Sequence, residues 1–532
     1  MSDAVRPRNV RGFLEAAVER NAECPFLVWQ DTPMSYAAFN NAVDRAADMW
    51  RRLGVRKGDR VAFLLDNRPE FLVAWLGLAK IGGVLTAVNT AFKGEEASYP
   101  VEHSEALFAL TSAEHAEVMA SVAKRVRTLR GVVTLDERPG TLSYAALMAA
   151  AEPRAPAVEL ESDDLISLIY TSGTTGRPKG VMQTHGNYVL TGEAYPAWVG
   201  LGRRERIYVC LPLFHANSQI YATMGTIGAG ATMILVPRFS ASRFWGDVRR
   251  HHVNVFNFVG AMPVILSRSA PSPADRAHEA RVGYGAPTLP PTLRDALELR
   301  FGLRIVSGFG MSETTFGLIE SLTGERRPLS MGKPRQHPDP TVSRNEARVV
   351  DELGRDVPDG EIGELVFRNA ALMRGYFKDP RRTTEALREG WLYTGDLARR
   401  DADGFFYYVD RRKDIVRRRG ENVSSVEVEA VLVEHPDVLE VAIIGVPSEL
   451  TEEDILAVIV PRPSRTIDPS ALVAWSAGRL ASFKVPRYVS VVEALPKTSS
   501  LKVEKDRLRE TWRDLGHVVD TQVAMKSGGE RS

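Results

Sequence analysis

Cysteine is nearly absent from this chain of 532 residues, which contains only Cys24 and Cys210. Two cysteines exclude a disulfide framework and argue against a cysteine metal cluster, so we expect a reducing, cytoplasmic environment. Net charge is missing as well, since 68 Lys and Arg residues face 67 Asp and Glu residues, for a formal charge of +1. Because no bulk charge would attract a polyanion or an anionic bilayer, we expect neither a nucleic-acid partner nor a membrane partner.

Long hydrophobic runs are also lacking. The most apolar long segment, Phe71–Val88, is interrupted by Lys80 and by two glycines, so it predicts a buried helix followed by a strand rather than a transmembrane segment. The N-terminal region has three arginines but no apolar core of a signal peptide. Apolar residues make up 44% and charged residues 25% of the chain, as in globular proteins, and the length predicts several domains.

Short apolar strands alternate with helices through most of the chain, for example at Leu165–Tyr170, Arg206–Leu211 and Val253–Phe258. This alternation predicts an α/β fold with parallel sheets covered by helices. The sequence pattern of the chain changes around residues 401–413, where a turn signal at 401–404 precedes a strand and a charged run. We place the domain boundary in this region, with one domain at 1–410 and a second at 411–532. The second reads as a small α+β domain, in which Ser424 and Glu427 form a predicted capping box.

One loop concentrates the groups that bind phosphate. The stretch Tyr170–Gly180 reads Tyr-Thr-Ser-Gly-Thr-Thr-Gly-Arg-Pro-Lys-Gly and directly follows a predicted strand. Its glycines leave backbone N–H groups uncovered, and its hydroxyls and Lys179 add further donors. The standard P-loop pattern is not met. Taken alone, a loop of this composition is most often a surface turn.

The complete string resembles the nucleotide-binding loop of the acyl-adenylate-forming (AMP-binding) superfamily, which includes acyl-CoA synthetases, adenylation domains and beetle luciferases. Further motifs of that superfamily follow in the expected order over roughly residues 10–515: Gly283–Pro287, Gly308–Thr314, Trp391–Asp396, Asp410–Asp414 and Pro496–Lys505. The resemblance implies a large N-terminal domain of parallel sheets flanked by helices with a distorted β-barrel subdomain, and a small mobile α+β C-terminal domain. The stretch Phe239–Met262 is most similar to carnitine- and crotonobetaine-CoA ligase-like members.

The resemblance also implies an ATP site. Phe309 would stack on adenine, Ser312 would contact the α-phosphate, and Glu313 would ligate Mg²⁺. Asp396 would bind the ribose hydroxyls, and Arg411 would reach the ribose and phosphate. The full set of implied nucleotide contacts is Thr171, Ser172, Gly173, Thr174, Thr175, Gly176, Lys179, Gly285, Ala286, Pro287, Phe309, Gly310, Ser312, Asp396 and Arg411.

Lys502 matches the lysine that catalyses adenylation in the superfamily, where its ammonium would bridge the substrate carboxylate and the α-phosphate. Lys497 and Lys505 are weaker alternatives. The family usually has glycine just before this lysine, whereas this chain has Leu501. If that position needs a positive φ, leucine costs about 1 kcal/mol or more. Lys413 matches the hinge residue whose dihedrals change when the small domain rotates.

The coenzyme A and acyl sites are implied by shorter motifs. Gly420 matches a glycine of the pantetheine tunnel, and Lys484 lies in a segment similar to one near the coenzyme A end of that tunnel. The arginine run 417–419, which includes Arg419, could meet the phosphates of coenzyme A but is as readily a solvated face. His215 would have a packing or gating role, because a carboxylate is already ionised at neutral pH and adenylation needs no general base. The implied acyl pocket consists of His215, Asn217, Gly260, Ala261, Met262 and Gly285, and the segment Asn257–Met262 should line the same acyl tunnel.

These matches predict an ATP-dependent carboxylate–CoA ligase that forms an acyl-adenylate and uses ATP, Mg²⁺ and coenzyme A. Its other substrate would be a small carboxylic acid that the sequence does not identify, and a homodimer is compatible with the sequence. Alternatives are an acyltransferase that uses acyl-adenylate made elsewhere, which Leu501 favours, or an enzyme that loads a carrier-protein phosphopantetheine. A luciferase-like oxygenase and a non-catalytic ATP-binding protein share the fold.

Overall fold

The computed structural model describes residues 8–171, 178–260, 262–418, 421–448, 452–498, 502–515 and 517–521. The chain divides into two compact units. Unit 1 comprises the chain up to Ala347 together with Phe367–Tyr393, and unit 2 comprises Arg348–Val366 together with the chain from Thr394 onward. The boundary after residue 410 remains a prediction about domains.

The strands are short and many are buried on both faces, as expected for sheets covered by helices. In chain order they are β1 (Pro25–Trp29), β2 (Thr32–Ser35), β3 (Arg60–Leu64), β4 (Val84–Ala87), β5 (Phe108–Thr111), β6 (Gly131–Thr134), β7 (Leu142–Ser143), β8 (Leu165–Thr171), β9 (Lys179–Thr184), β10 (Arg206–Val209), β11 (Thr232–Leu235), β12 (Val255–Val259), β13 (Val282–Ala286), β14 (Arg304–Met311), β15 (Thr314–Ile319), β16 (Ser330–Pro334), β17 (Glu346–Val350), β18 (Ile362–Arg368), β19 (Gly375–Tyr376), β20 (Leu387–Arg388), β21 (Trp391–Arg400), β22 (Phe406–Arg411), β23 (Val416–Arg418), β24 (Glu421–Val423), β25 (Val438–Pro447), β26 (Glu453–Pro461), β27 (Tyr488–Val491) and β28 (Val518–Asp520).

Several helices begin at a residue whose side chain caps the first turn. Ser35 accepts a hydrogen bond from the backbone of Ala38 at the start of α2, and Asp468 does the same for Ser470 at the start of α14. The helices are α1 (Val10–Asn21), α2 (Tyr36–Arg52), α3 (Pro69–Lys80), α4 (Glu95–His103), α5 (Ala116–Arg125), α6 (Tyr144–Ala150), α7 (His185–Val199), α8 (Met224–Ala229), α9 (Ala241–Arg250), α10 (Met262–Ser267), α11 (Pro291–Phe301), α12 (Pro380–Ala386), α13 (Ser425–Leu432), α14 (Pro469–Ala477) and α15 (Lys505–Thr511).

Unit 1 contains a sheet with the order β19-β9-β8-β4-β3-β5-β6-β7. The strands from β8 to β7 pair in parallel, whereas β9 pairs antiparallel with both β8 and β19. Helix α3 is apolar on all sides because it is buried, and it crosses α2 closely. A Cβ on Gly77 would lie 2.6 Å from the Cβ of Ala46, so glycine permits this crossing.

A second sheet of unit 1 follows the order β16-β15-β14-β13-β12-β10-β11-β1-β2. Strands β12, β13 and β14 run parallel, and β14 turns back into β15 through an antiparallel pair. The carboxyl ends of parallel strands are where α/β sheets present ligand sites, and the predicted segments Asn257–Met262 and Gly283–Pro287 fall at such ends. The predicted parallel sheets covered by helices are confirmed.

Unit 2 contains antiparallel pairs, among them β21 with β22, and a smaller sheet with the order β25-β26-β27-β28. Ser424 caps α13 as predicted, accepting a hydrogen bond from the Glu427 N–H at 3.2 Å. The prediction that the Glu427 side chain accepts a hydrogen bond from the Ser424 backbone is wrong. Both of its carboxylate oxygens accept hydrogen bonds from Lys484 instead. Across both units, none of the helices in the described ranges is long and apolar enough to cross a membrane.

Candidate active site

The predicted phosphate loop joins two paired strands of unit 1. Thr171, at the end of β8, pairs with Lys179, at the start of β9, so the loop is anchored at both ends by the sheet register. Ser172, Gly173, Thr174, Thr175 and Gly176 lie outside the described residues. The local structure therefore explains the position of Lys179, the ammonium that the sequence assigns to the phosphates.

Lys179 and Glu313 approach the same tyrosine, Tyr376. The Lys179 ammonium lies 3.4 Å from the Tyr376 hydroxyl and 4.4 Å from the centroid of its ring. The hydroxyl donates to the Glu313 carboxylate at 2.9 Å. Burial and the negative charge of Glu313 raise the pKa of Tyr376, so it stays a donor. Burial lowers the pKa of Lys179, while Glu313 opposes that shift.

Sequence reasoning missed Tyr376. It lies on β19, which pairs with β9, and its backbone is opposite Val181. Its sequence neighbours carry no motif of their own, so only the pairing of two strands distant in sequence reveals it.

Ser312 and Glu313 form the tip of the turn between β14 and β15. Met311 pairs with Thr314 on either side, which leaves two residues to reverse the chain. The backbone oxygen of Ser312 accepts a hydrogen bond from the buried amide of Gln183, at 2.5 Å. Glu313 itself is only 5% exposed. A buried carboxylate fixed by a strand turn can serve as a metal ligand, since Mg²⁺ is commonly held by one or two carboxylates and by substrate phosphates.

The aromatic ring assigned to adenine already has one neighbour. Phe309 lies parallel to Phe367 at 5.9 Å between ring centroids, with 16° between the planes. A purine stacked on Phe309 would therefore use the opposite face of the ring. Gly310 follows at an exposed position, where a Cβ would lie 2.8 Å from the hydroxyl of Tyr221.

The glycine-alanine-proline segment ends β13 beside the end of β12. Gly285 pairs with Phe258 so closely that a Cβ would lie 2.1 Å from the Phe258 carbonyl oxygen. The Gly260 N–H donates to the Ala286 carbonyl at 2.9 Å, and the Ala286–Pro287 peptide is cis. The predicted adenine segment and part of the predicted acyl segment are thus hydrogen-bonded neighbours.

Two asparagines of the predicted acyl segments, Asn217 and Asn257, are joined by a hydrogen bond. The Asn257 side chain donates to Asn217 at 2.8 Å, and its oxygen accepts from Tyr195. The His215 ring lies 4.6 Å from the ring of Phe214, which fits the predicted packing role. Met262 is buried at the start of α10, and Ala261 lies outside the described residues.

Unit 2 carries the residues assigned to ribose and to adenylation. Asp396 and Arg411 are opposite each other in the β21–β22 pair, and Arg411 Nε lies 3.5 Å from Asp396 Oδ1. Desolvation by the surrounding protein and the charge of Arg411 lower the pKa of Lys502, although the residue itself is exposed, whereas Asp396 raises it. Three residues predicted from separate motifs therefore interact electrostatically within one unit.

The competing lysines differ from Lys502. Lys497 is paired with Glu440 at 2.7 Å, and Lys505 is paired with Glu429 at 2.7 Å. Among the described residues, Lys502 has no carboxylate within ion-pair distance. The backbone N–H of Lys502 donates a hydrogen bond to the Thr498 hydroxyl at 3.2 Å. Leu501 lies outside the described residues, so the φ that the family pattern requires there stays a prediction.

The predicted hinge residue is held by an ion pair within unit 2. The Lys413 ammonium lies 2.5 Å from Asp506 Oδ2 on α15. The next acidic residue, Asp414, pairs with Arg509 on the same helix, and Arg509 also contacts Asp506 at 2.8 Å. The segment 413–414 is therefore tied to one helix by charge.

The predicted coenzyme A contacts are only partly described. Arg419 and Gly420 lie outside the described residues, and the Lys484 ammonium is paired with Glu427 at 2.6 Å. The interpretation of residues 417–419 as one solvated or phosphate-facing run is wrong for Arg418. Its side chain is buried, lies 3.2 Å from Asp454, and donates to the Val485 carbonyl at 2.6 Å.

The comparison with family models gives two matches. The AMP-binding enzyme model matches residues 14–377, and the AMP-binding enzyme C-terminal domain model matches residues 427–502. The chain belongs to the AMP-binding enzyme family.

Individual relatives agree with this result. The chain is 33% identical over 527 residues to a crotonobetaine/carnitine–CoA ligase of Salmonella paratyphi A, covering 95% of this chain and 100% of that one. It also resembles a crystal structure of the anthranilate CoA ligase AuaEII in complex with anthranoyl-AMP, with a TM-score of 0.87, 26% identity and coverage of 96% and 99%. A benzoate CoA ligase from Burkholderia xenovorans LB400 gives a TM-score of 0.85 at 26% identity, with coverage of 94% and 99%.

The fold and these relatives define the class. The chain is an ATP-dependent, AMP-forming acyl-CoA ligase that acts through an acyl-adenylate. The reaction class predicted from the ordered motifs is confirmed.

Proposed function

We propose that Lys502 catalyses acyl-adenylate formation and that Lys179, Ser312 and Glu313 hold the phosphates of ATP. The observation that carries this proposal is the electrostatic grouping of Lys502 with Asp396 and Arg411 in unit 2. A ribose clamp and the adenylation lysine must act on adjacent parts of one nucleotide, and this grouping supports those roles.

In the first half-reaction a carboxylate oxygen of the acid attacks the α-phosphorus of ATP, and the bond to the β-phosphate oxygen breaks. The acid is already an anion, so no residue needs to remove a proton. The Lys502 ammonium reduces the repulsion between the carboxylate and the α-phosphate. Lys179 stabilises the charge that develops on the leaving pyrophosphate.

In the second half-reaction the thiol of coenzyme A loses its proton to solvent, its sulfur attacks the carbonyl carbon of the adenylate, and AMP leaves with the bridging oxygen. We expect Lys413 to change its backbone dihedrals between the two half-reactions, while Gly420, Arg419 and Lys484 contact coenzyme A. Since Lys484 is paired with Glu427, that contact requires exchange of an ion pair for a phosphate.

Magnesium fits the buried carboxylate of Glu313. The hydrogen bond from Tyr376 occupies one oxygen of this carboxylate and orients the group, and Mg²⁺ commonly takes its other ligands from phosphate and water. When bound, the ion would neutralise charge on the phosphate oxygens of ATP.

The function is tested by measuring AMP and pyrophosphate release with a panel of carboxylic acids, ATP and coenzyme A. We expect acid-dependent release of both products, and formation of ADP would contradict the proposal. The acids named for the relatives, among them carnitine, benzoate and anthranilate, belong in the panel as candidates.

One alternative keeps a specific observation in its favour, because Leu501 replaces the usual glycine before Lys502. An enzyme that only uses acyl-adenylate made elsewhere would show no acid-dependent pyrophosphate exchange without coenzyme A. A carrier-loading enzyme would prefer a protein phosphopantetheine over coenzyme A in a competition between the two thiols.

A further inference from the structure

Arg335, which no motif includes, lies in unit 1 inside a set of aromatic rings. Its side chain is 1% exposed. The guanidinium carbon lies 5.2 Å from the ring centroids of both Trp198 and Tyr221 and 5.3 Å from that of Tyr284. Such a set of ring faces is the kind of site that binds cations, including quaternary ammonium groups. In this chain the cation inside the cage is supplied by the protein.

The guanidinium is satisfied by neutral groups. It donates to the carbonyl oxygens of Leu318 at 2.9 Å, Phe309 at 3.1 Å and Thr315 at 3.4 Å. In the described part of the chain no carboxylate forms an ion pair with it. The acidic residue on the neighbouring helix α7, Glu193, is paired with His337 at 3.2 Å. The positive charge of Arg335 is therefore not cancelled by an acidic partner.

This caged cation borders the proposed acyl and nucleotide residues. A Cβ on Gly308 would lie 2.6 Å from Arg335 Nη2, and a Cβ on Gly310 would lie 3.7 Å from the same atom. On the other side, Tyr221 and Tyr284 both pack against Tyr195, at 5.8 Å and 5.7 Å between centroids.

A continuous network joins the cage to the acyl residues. Tyr195 donates its hydroxyl to Asn257, and Asn257 donates to Asn217. Both asparagines belong to segments that the sequence assigns to the acyl pocket. The charge of Arg335 is thus separated from Asn257 and Asn217 by only two buried tyrosine layers.

We propose that Arg335 fills an aromatic cage behind the acyl pocket and restricts this ligase to acids whose far end carries no positive charge. The inference rests on the proposed function, because it assumes that the acyl residues are those named above. At an effective dielectric of about 20, a second cation about 10 Å from a buried one loses about tenfold in affinity. The chain thus differs in substrate class from relatives named for carnitine, an acid with a quaternary ammonium group.

The experiment compares two acids of the same shape, 4-(trimethylammonio)butanoate and its uncharged carbon isostere 5,5-dimethylhexanoate. The values of kcat/KM for pyrophosphate release are measured with each acid for the intact wild-type enzyme and for Arg335→Met and Arg335→Lys. We expect the wild type to prefer the uncharged acid at least tenfold. Arg335→Met should reduce this preference at least tenfold, because the cage then lacks its own cation, and Arg335→Lys should keep it.

Several results would overturn the inference: equal use or preference of the ammonium acid by the wild type, or an unchanged preference in folded Arg335→Met. If Arg335→Met does not fold, the wild-type and Arg335→Lys ratios decide. If no acid in the wider panel releases pyrophosphate, the proposed function fails instead. Calorimetric binding of the same two acids to the wild type then decides the charge preference separately, since equal binding contradicts it.

Discussion

The two groups of proposed catalytic residues are fixed in different ways. In unit 1, Lys179 lies at the start of a strand, Glu313 at the tip of a strand turn, and a neutral hydroxyl of Tyr376 joins them. In unit 2, Lys413 is held by the charge of Asp506, and Arg411 lies beside Asp396. Sheet register determines the first group. In the second group it sets only the pairing of Asp396 with Arg411, whereas Lys413 depends on an ion pair with a helix.

This difference has a physical meaning. Partly exposed ion pairs are individually weak, at about 0–1 kcal/mol, and they exchange partners easily. Strand register, in contrast, cannot shift by one residue without moving every side chain to the other face of the sheet. We therefore expect the groups of unit 1 to keep their geometry through the reaction and the ion pairs of unit 2 to break and re-form. The predictions below test this comparison, beginning with the largest effect.

Lys502→Ala should reduce acid-dependent pyrophosphate release by about 10³-fold, because the ammonium that offsets the repulsion of two anions is lost. Thioester formation from supplied acyl-adenylate should be almost unaffected. The control is Lys497→Ala, which removes a lysine already paired with Glu440 and should change either half-reaction less than about threefold. If Lys502→Ala reduces both half-reactions equally, Lys502 is not the adenylation lysine.

Glu313→Gln should reduce adenylation by about 10²-fold and raise the magnesium concentration needed for half-maximal rate, because a carboxylate ligand is lost. Tyr376→Phe keeps the carboxylate but removes its hydrogen bond, and should cost about tenfold. Titrations of pyrophosphate release against Mg²⁺ measure both effects. If the two variants have the same magnesium dependence as the wild type, Glu313 is not a metal ligand.

The alkaline limb of the pH profile of adenylation should lie at a lower pH than the pKa of an ordinary lysine would predict. Desolvation by the surrounding protein and the charge of Arg411 lower the pKa of Lys502 below its usual value of 10.5, so the ammonium loses its proton earlier as pH rises. At saturating ATP, Asp396→Asn should move the alkaline limb further down, and Arg411→Met should move it up, because their charges act on Lys502 in opposite directions. An alkaline limb that is identical in all three proteins would exclude Lys502 as the titrating group.

Asp506→Asn should have the smallest effect, about two- to fivefold, because it removes one weak ion pair from Lys413. The ratio of the two half-reaction rates should change, while adenylation at the sites of unit 1 keeps its magnesium dependence. The matched control is Glu504→Gln, whose carboxylate lies 4.0 Å from Arg507 and away from the hinge residue. If the two substitutions have equal effects, the Lys413–Asp506 ion pair has no specific role in the change between half-reactions.

Much of the fold and the order of the motifs could be predicted from the sequence, because both depend on local patterns. Apolar runs of strand length located β8 to within one residue. The resemblance to the superfamily's motifs proposes Glu313, Asp396 and Lys502 as site residues, and these roles stay predictions. Tyr376 and Arg335 could not be found in this way. Each acts through contacts between strands and helices that are remote in sequence, and neither has a local pattern.

Some local predictions were wrong because a tertiary partner was stronger. Glu427 pairs with Lys484 instead of completing the capping box, and Arg418 is buried against Asp454 although its neighbours in sequence suggest a solvated run. In both cases an oppositely charged residue from a distant segment outweighs the local preference. Sequence alone does not show which charges meet.

The hydrogen bond from Gly260 to Ala286 joins the segment proposed for the acid pocket to the segment proposed for the nucleotide pocket, so the two proposed pockets would share a wall. Residues 257–262 would shape the acid pocket, while residues 285–287 would face the nucleotide, and a Cβ at Gly285 would push the two strand ends apart. We therefore expect acid specificity and nucleotide affinity to be coupled in this enzyme. A substitution selected for a new acid at this wall should carry a change in the KM for ATP with it.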